Sequence, residues 1–259
     1  MKVAAYQAPL DIGSCAEALD LIQEQVTRCE ALGVAFLCCP EGALGGLADY
    51  VDHPAAIALE VAGGQLLETL APLASERVTT ILGFTEIDAD ARLYNSAAVF
   101  HRGAVIGVYR KLHPAINRSV YAAGHETPVF TVDTFTFGIL ICRDSTFAEP
   151  ARRMAAQGAT ALFVPTNNGM PVTRGGEELI AAARGCDIAR AKDNGVSVIR
   201  ADVAGRTAHL VSYGSSAIVN SRGSVLAEAE RLEPTLIVAD IDISCQSTHA
   251  ERSRAEALT

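Results

Sequence analysis

Three short apolar runs of this chain each end in a group that can do chemistry. Thr136-Phe137-Gly138-Ile139-Leu140-Ile141 is β-branched and aromatic, reads as a buried strand, and is followed by Cys142, Arg143 and Asp144. Val34-Ala35-Phe36-Leu37-Cys38-Cys39-Pro40 ends in Glu41, and Ala104-Val105-Ile106-Gly107-Val108-Tyr109-Arg110 ends in Lys111. Ligands of open α/β sheets bind at the carboxyl ends of strands. A thiol, a carboxylate and an ammonium delivered there amount to a nucleophile, a base and an electrostatic stabiliser.

A free cysteine has a pKa of about 8.5, so little of it is thiolate at neutral pH. A lysine charge about 4 Å away is worth roughly 4 kcal/mol at an effective dielectric of about 20, which favours the thiolate, while burial opposes it. A glutamate can instead accept the thiol proton and return it to a leaving amine. The lysine is then free to stabilise a tetrahedral oxyanion, a contribution of about 3–4 kcal/mol per donor. The backbone N–H of Arg143 is expected to point at the same oxygen. The combination suits attack on an unstrained carbonyl or nitrile carbon.

The chain has 259 residues, 49% of them hydrophobic, enough to bury a substantial core. A net charge of -9 argues against a nucleic-acid partner, which would need a basic face. No run approaches the roughly 18 unbroken apolar residues of a membrane span, so no membrane role is expected. Met1-Lys2-Val3 leads straight into an apparent strand instead of an export signal, so a reducing cytoplasm is the expected compartment. The seven cysteines are odd in number and contain no C-x-x-C pair, which argues against a zinc ribbon or a thioredoxin-type motif. Cys38 and Cys39, being adjacent, must point to opposite faces of a strand and are expected to pack in cores.

The elements that must position these groups alternate between strand and helix. Ser14 and Glu17 form a capping-box pattern, Leu19, Ile22, Val26, Cys29 and Leu32 recur at helical spacing, and Gly33 is a stop signal. A second helix is expected over about 54–75, followed by strands near 79–85, 94–101 and 104–110. The second half repeats the order: a strand over 135–141, a helix over 147–157, a strand over 159–165, a helix over 176–192, a strand over 195–200 and a hairpin near 214–229. Residues 96–105 resemble 216–225 at an offset of 120, and 33–40 resemble 158–165 at an offset of 125. This internal twofold repetition predicts an α/β fold with two similar mixed sheets packed together and helices outside. One domain is expected over 1–243, with a polar C-terminal tail over 244–259.

The residues also carry a family resemblance. Pro40-Glu41, Tyr109-Arg110-Lys111-Leu112-His113 and Gly138-Ile139-Leu140-Ile141-Cys142-Arg143-Asp144 resemble the three signature blocks of the nitrilase, or carbon–nitrogen hydrolase, superfamily. Tyr121-Ala122-Ala123-Gly124, the stretch Ala189 to Asn194, and Tyr213-Gly214-Ser215-Ser216 extend the likeness over about 1–243. The resemblance implies a four-layer α-β-β-α sandwich and a Glu–Lys–Cys triad. Glu41 would be the general base, Lys111 the oxyanion stabiliser and Cys142 the nucleophile that forms a thioester. It implies no metal and no organic cofactor, a small-molecule amide or carbamoyl substrate, and a homodimer or larger homo-oligomer.

Two positions depart from the family pattern. Many members place a second glutamate four residues before the aromatic of the block that contains Tyr121, where this chain has Asn117. Nitrilases proper place Trp-Glu after the nucleophile; here Arg143 follows, and the chain has no Trp. This favours an amidase acting on a small linear amide, with an N-carbamoyl amino-acid hydrolase, a nitrilase and a non-catalytic binding or scaffold member as alternatives. Arg143 is a candidate clamp for a substrate carboxylate. Asn167 and Asn168 are expected at the pocket rim, and Tyr50 at its mouth. His113 is expected to make a structural hydrogen bond.

Overall fold

The computed structural model describes residues 1–115, 118–174 and 176–243, so Asn117, Cys245 and the expected tail over 244–259 lie outside the described residues. In chain order the elements are β1 (Lys2–Pro9), α1 (Cys15–Leu32), β2 (Phe36–Cys38), β3 (Ala58–Glu60), α2 (Gln65–Leu70), β4 (Thr79–Ile87), β5 (Leu93–His101) and β6 (Ala104–Arg110). There follow β7 (Val129–Val132), β8 (Phe135–Ile139), α3 (Ala148–Ala156), β9 (Ala161–Pro165), β10 (Met170–Pro171) and α4 (Glu178–Asn194). The last are β11 (Ser197–Ala201), β12 (Val203–Arg206), β13 (Leu210–Ser212), β14 (Ala217–Val219), β15 (Val225–Glu228) and β16 (Thr235–Asp240).

Two mixed sheets form. The first runs β10-β13-β12-β1-β2-β4-β5-β6, with β16 added antiparallel to β1 and β3 parallel to β4. The second runs β15-β14-β11-β9-β8-β7. In the first, β1, β2 and β4 are parallel and β5 and β6 return antiparallel; in the second, β8, β9 and β11 are parallel and β14 and β15 return antiparallel. Between the sheets, Phe36 of β2 meets Phe135 and Phe137 of β8 edge-on, with ring centroids 4.8 and 5.4 Å apart. Val3, Ala5 and Cys38 face this inner core, whereas Ala4, Tyr6 and Cys39 face α1 and α2. The period-two alternation of a strand thus puts Cys38 and Cys39 into different cores. α3 packs on β8 and α4 on β11 and β14, which completes the four layers.

α1 begins as expected. The Ser14 hydroxyl accepts the Glu17 N–H at 3.1 Å, and Gly33 ends the helix in the left-handed region at φ 69°. Glu17 reaches back to the N–H of Gly13, one residue short of a true capping box. Gln25 lies on the buried face and Leu32 is 48% exposed, a reversal of the expected stripe at its end.

The single helix expected over 54–75 does not form. Pro54–Ile57 is a 3₁₀ turn, Ala58–Glu60 pairs with the end of β4, and only Gln65–Leu70 is α-helical before a second 3₁₀ turn at Ala71–Leu73. Gly63-Gly64, with Gly64 at φ 84°, breaks the helical path, and Pro72 stops it again. Strand β8 also ends earlier than expected, at Ile139, although Leu140 still donates its N–H to the Phe163 carbonyl at 2.9 Å. No helix among the described residues is long and apolar enough to cross a membrane.

Candidate active site

Glu41 follows β2 and is 2% exposed. Its Oε1 accepts Lys111 Nζ at 2.5 Å and Asn95 Nδ2 at 2.8 Å, and its Oε2 accepts the Asn167 N–H at 3.0 Å. Three donors hold the buried carboxylate in one orientation. The backbone leading to it is fixed by the neighbouring strand: Gly83 of β4 donates its N–H to the Pro40 carbonyl and accepts the Leu44 N–H, both at 3.1 Å.

Lys111 directly follows β6 and is 3% exposed. Asn95 serves it as well as Glu41, since the Asn95 carbonyl accepts the Lys111 N–H at 2.8 Å. Gly124 closes the other side by donating to the Lys111 carbonyl at 2.8 Å; a Cβ there would collide with the Arg110 carbonyl oxygen. Burial, the largest single influence, would lower the Lys111 pKa, but the charge and hydrogen bond of Glu41 together with the surrounding acidic groups raise it. Lys111 is therefore a charged donor throughout the neutral range.

Cys142 sits at φ 46°, a left-handed backbone that a non-glycine residue adopts at a cost of about 1–3 kcal/mol. The turn Cys142–Thr146 that follows β8 thus carries the thiol on a sharp elbow. Its Sγ lies 3.9 Å from Asn168 Oδ1. Burial, then the Glu41 charge, push the thiol up to about 12, against the opposing pull of Lys111. The resting group is a thiol, so the lysine's proximity does not by itself create a thiolate.

Buried polar residues that the sequence did not single out support this arrangement. Asp144 is fully buried and accepts Tyr109 Oη at 2.8 Å, the Leu112 N–H at 3.2 Å, and both the N–H and Nδ1 of His113 at 2.9 Å. It ties the segment carrying Lys111 to the Cys142 elbow. His113 has the structural role expected of it and stacks on Phe147 at 3.9 Å. Behind the elbow, Arg200 is 2% exposed and pairs with Asp187 through two bonds of 2.8 and 2.6 Å. It also donates to Ser145 Oγ at 2.8 Å, and that hydroxyl donates to the Cys142 carbonyl at 2.8 Å. Asp202, also buried, accepts Asn168 through its N–H at 3.0 Å and its Nδ2 at 2.9 Å. Ser215 Oγ adds a third donor to Asp202 at 2.6 Å. With its amide nitrogen held by Asp202, Asn168 turns its oxygen toward Cys142.

The remaining candidates fall in different places. Asn167 contributes its backbone to Glu41, while its side chain accepts the Gly169 N–H at 3.0 Å in an Asx turn. Arg143 is exposed, and its Nη1 donates to the Pro114 and Ala115 carbonyls at 3.4 and 3.1 Å. Tyr50 is 67% exposed, and its hydroxyl pKa is raised by partial desolvation, then by the Asp49 and Glu41 charges. Its short turn, Ala48–Tyr50, is pinned by Tyr121 Oη on the Ala48 N–H at 2.6 Å and by Asp49 on Ser119 and Val120. Among the described residues no group of three or more His, Cys, Asp or Glu is placed to hold a metal ion. A separate cavity of about 620 Å³ lies on the opposite face of the first sheet, beside Tyr94 and the Glu86–Arg110 ion pair, and borders none of Glu41, Lys111 or Cys142.

The model of the carbon-nitrogen hydrolase family matches residues 2–250. The chain belongs to that family. It is 30% identical over 250 residues to a Pseudomonas protegens protein described as "hydrolase in pqqF 5'region", covering 93% of this chain and 83% of that one. It is 32% identical to the omega-amidase NIT2 of Bos taurus, over 70% of this chain and 67% of that one. Among solved structures it resembles an amidase from Nesterenkonia sp. AN1 carrying the product of acrylamide addition at its active-site cysteine. That likeness has a TM-score of 0.78 and 25% identity, and covers 99% of each chain. The nitrilase-superfamily fold of this carbon–nitrogen hydrolase is therefore the one its signature blocks imply.

Proposed function

We propose that the protein is an amidase that hydrolyses a small linear amide through a thioester on Cys142, with Glu41 as general base and Lys111 as oxyanion donor. The observation that carries this reading is the buried Glu41–Lys111 pair of 2.5 Å beside an elbow that presents Cys142. Because the thiol is protonated at rest, attack and deprotonation are coupled. Glu41 takes the proton as Cys142 Sγ bonds to the amide carbon, and the carbonyl electrons move onto oxygen. Lys111, with the backbone N–H of Arg143, stabilises that oxyanion. Glu41 then passes the proton to the amide nitrogen, the C–N bond breaks, and ammonia or an amine leaves. Water attacks the thioester carbon as Glu41 takes one of its protons. The C–S bond breaks, the acid departs, and the proton returns to sulfur.

Amides are favoured over nitriles because Arg143 follows the nucleophile and the chain has no Trp. A homodimer or larger assembly is the quaternary state in keeping with the family resemblance, and light scattering of the purified protein tests it. The function is tested by ammonia release from a panel of amides, ureido acids and nitriles, with Cys142→Ala as the control. Turnover confined to nitriles, or equal turnover by Cys142→Ala, refutes the reading.

A further inference from the structure

The carboxyl ends of the parallel strands enclose a second feature beside the Glu41 site. A crevice of about 220 Å³ opens between the segments that follow β1, β2 and β9. Pro40 and Gly42, which flank Glu41, border it, as does Asn167, whose N–H holds the Glu41 carboxylate. Tyr50, which is 67% exposed, lines it as well. Most of the remaining wall is apolar, with Leu10, Ile12, Leu47, Val51, Val203 and Leu210.

The charge of the wall decides what can enter. Among the described residues Asp11 is its only charged side chain, and no Lys, Arg or His lines it. Arg143, the cation that the sequence offers for a substrate carboxylate, is not among the lining residues and has its guanidinium on the Pro114 and Ala115 carbonyls. A substrate carboxylate placed here would lose water without gaining a cationic partner, next to an anion. An alkyl chain would lose water and gain packing. The volume is below the usual 300–1,000 Å³ of sites for drug-sized ligands, so a short chain fits. In a primary amide the acyl chain is the only part long enough to fill the crevice.

We propose that this crevice is the acyl subsite and that the substrate is a primary amide with a short, uncharged, apolar acyl chain, ω-carboxylates being excluded. The proposal rests on the amidase reading above. Leu10 and Leu210 are the specificity-determining side chains. Leu10 is placed by the pairing of β1 with β12, and Leu210 stands at the partly exposed start of β13.

Pentanamide and glutaramate test this directly, because they differ only in a terminal methyl or carboxylate. The expected result is a kcat/KM at least 100-fold higher for pentanamide. Leu210→Arg should narrow that ratio to below tenfold by raising the glutaramate rate. Leu10→Ala should lower kcat/KM about tenfold for pentanamide and leave acetamide within threefold. If Leu210→Arg does not fold, the wild-type ratio and Leu10→Ala decide. Calorimetric binding of both compounds to Cys142→Ala separates the two readings. Tighter binding of pentanamide without turnover by the wild type upholds the subsite and sinks the amidase chemistry. Equal or better turnover of glutaramate, or of N-carbamoylputrescine with its cationic tail, overturns the apolar subsite and leaves the amidase reading standing.

Discussion

Gly83 has no room for a side chain because Glu41 lies against it. A Cβ on Gly83 would sit 2.7 Å from the Glu41 Cα, 2.6 Å from the Pro40 carbonyl oxygen and 2.5 Å from the Gly42 nitrogen. All three are backbone atoms, so no rotamer change relieves the clash. Gly83→Ala should push the Glu41 backbone away from Lys111 and Asn95. Overpacking of this kind costs about 1–3 kcal/mol, so the protein should fold with a lowered Tm. Activity should fall much further, by at least 100-fold in kcat. A circular-dichroism melt and a turnover assay check both parts; wild-type kcat would refute the argument.

Glu41→Gln should keep the packing and abolish proton transfer. Lys111→Ala should cost more in kcat than in KM, because the oxyanion exists only after attack. Cys142→Ala should leave the fold intact and stop turnover. Steady-state kinetics of the three variants check this, and Glu41→Gln with near wild-type kcat would rule out the base role.

The Cys142 thiol is pushed up to about 12 from an ordinary 9.0. A raised pKa means the folded state keeps its proton at pH values where the unfolded chain loses it. The stabilising contribution is therefore complete below pH 9.0 and declines as pH rises toward 12. Denaturant unfolding at pH 7 and pH 10.5 should show the wild type losing up to about 2 kcal/mol more than Cys142→Ala. The buried Cys29, Cys38 and Cys39 are common to both proteins and drop out of the difference. A steeper loss in Cys142→Ala would contradict the assignment.

Asp202 fixes the amide of Asn168 through two hydrogen bonds. An asparagine at 202 would turn one acceptor oxygen into a donor and lose either the Oδ2 bonds from Asn168 Nδ2 and Ser215 or the Oδ1 bonds from the Asn168 and Val203 N–H groups. Asp202→Asn should lower kcat at least tenfold with little change in KM, and Asn168→Ala should do the same. Because both act along one chain of contacts, the double variant should be no worse than either alone. Additive losses in the double-mutant cycle would show independent roles.

Arg143→Leu distinguishes bracing from substrate binding. With its guanidinium on two backbone carbonyls, Arg143 steadies the loop after Lys111 against the Cys142 turn. Its replacement should slow neutral and carboxylate-bearing amides by the same modest factor, within about threefold of each other. A rise in KM of tenfold or more confined to the carboxylate class would restore the clamp that the sequence suggested.

Local sequence carried much of this protein. The strand ends bearing Glu41, Lys111 and Cys142, both ends of α1, and the opposed packing of Cys38 and Cys39 follow from alternation, caps and signature blocks, all of which act over a few residues. The helix expected over 54–75 does not form because Gly63-Gly64 breaks its path and because Ala58–Glu60 gains a partner in β4 that local pattern does not reveal. Which side chains complete the site was decided by tertiary structure alone. Asn95 and Asn167 reach Glu41 across 54 and 126 residues, and Asp202 reaches Asn168 across 34. Arg143 follows Cys142 in sequence, yet its side chain turns to carbonyls 28 and 29 residues away. A buried polar group must find a partner wherever the fold supplies one, and that location depends on how two sheets meet.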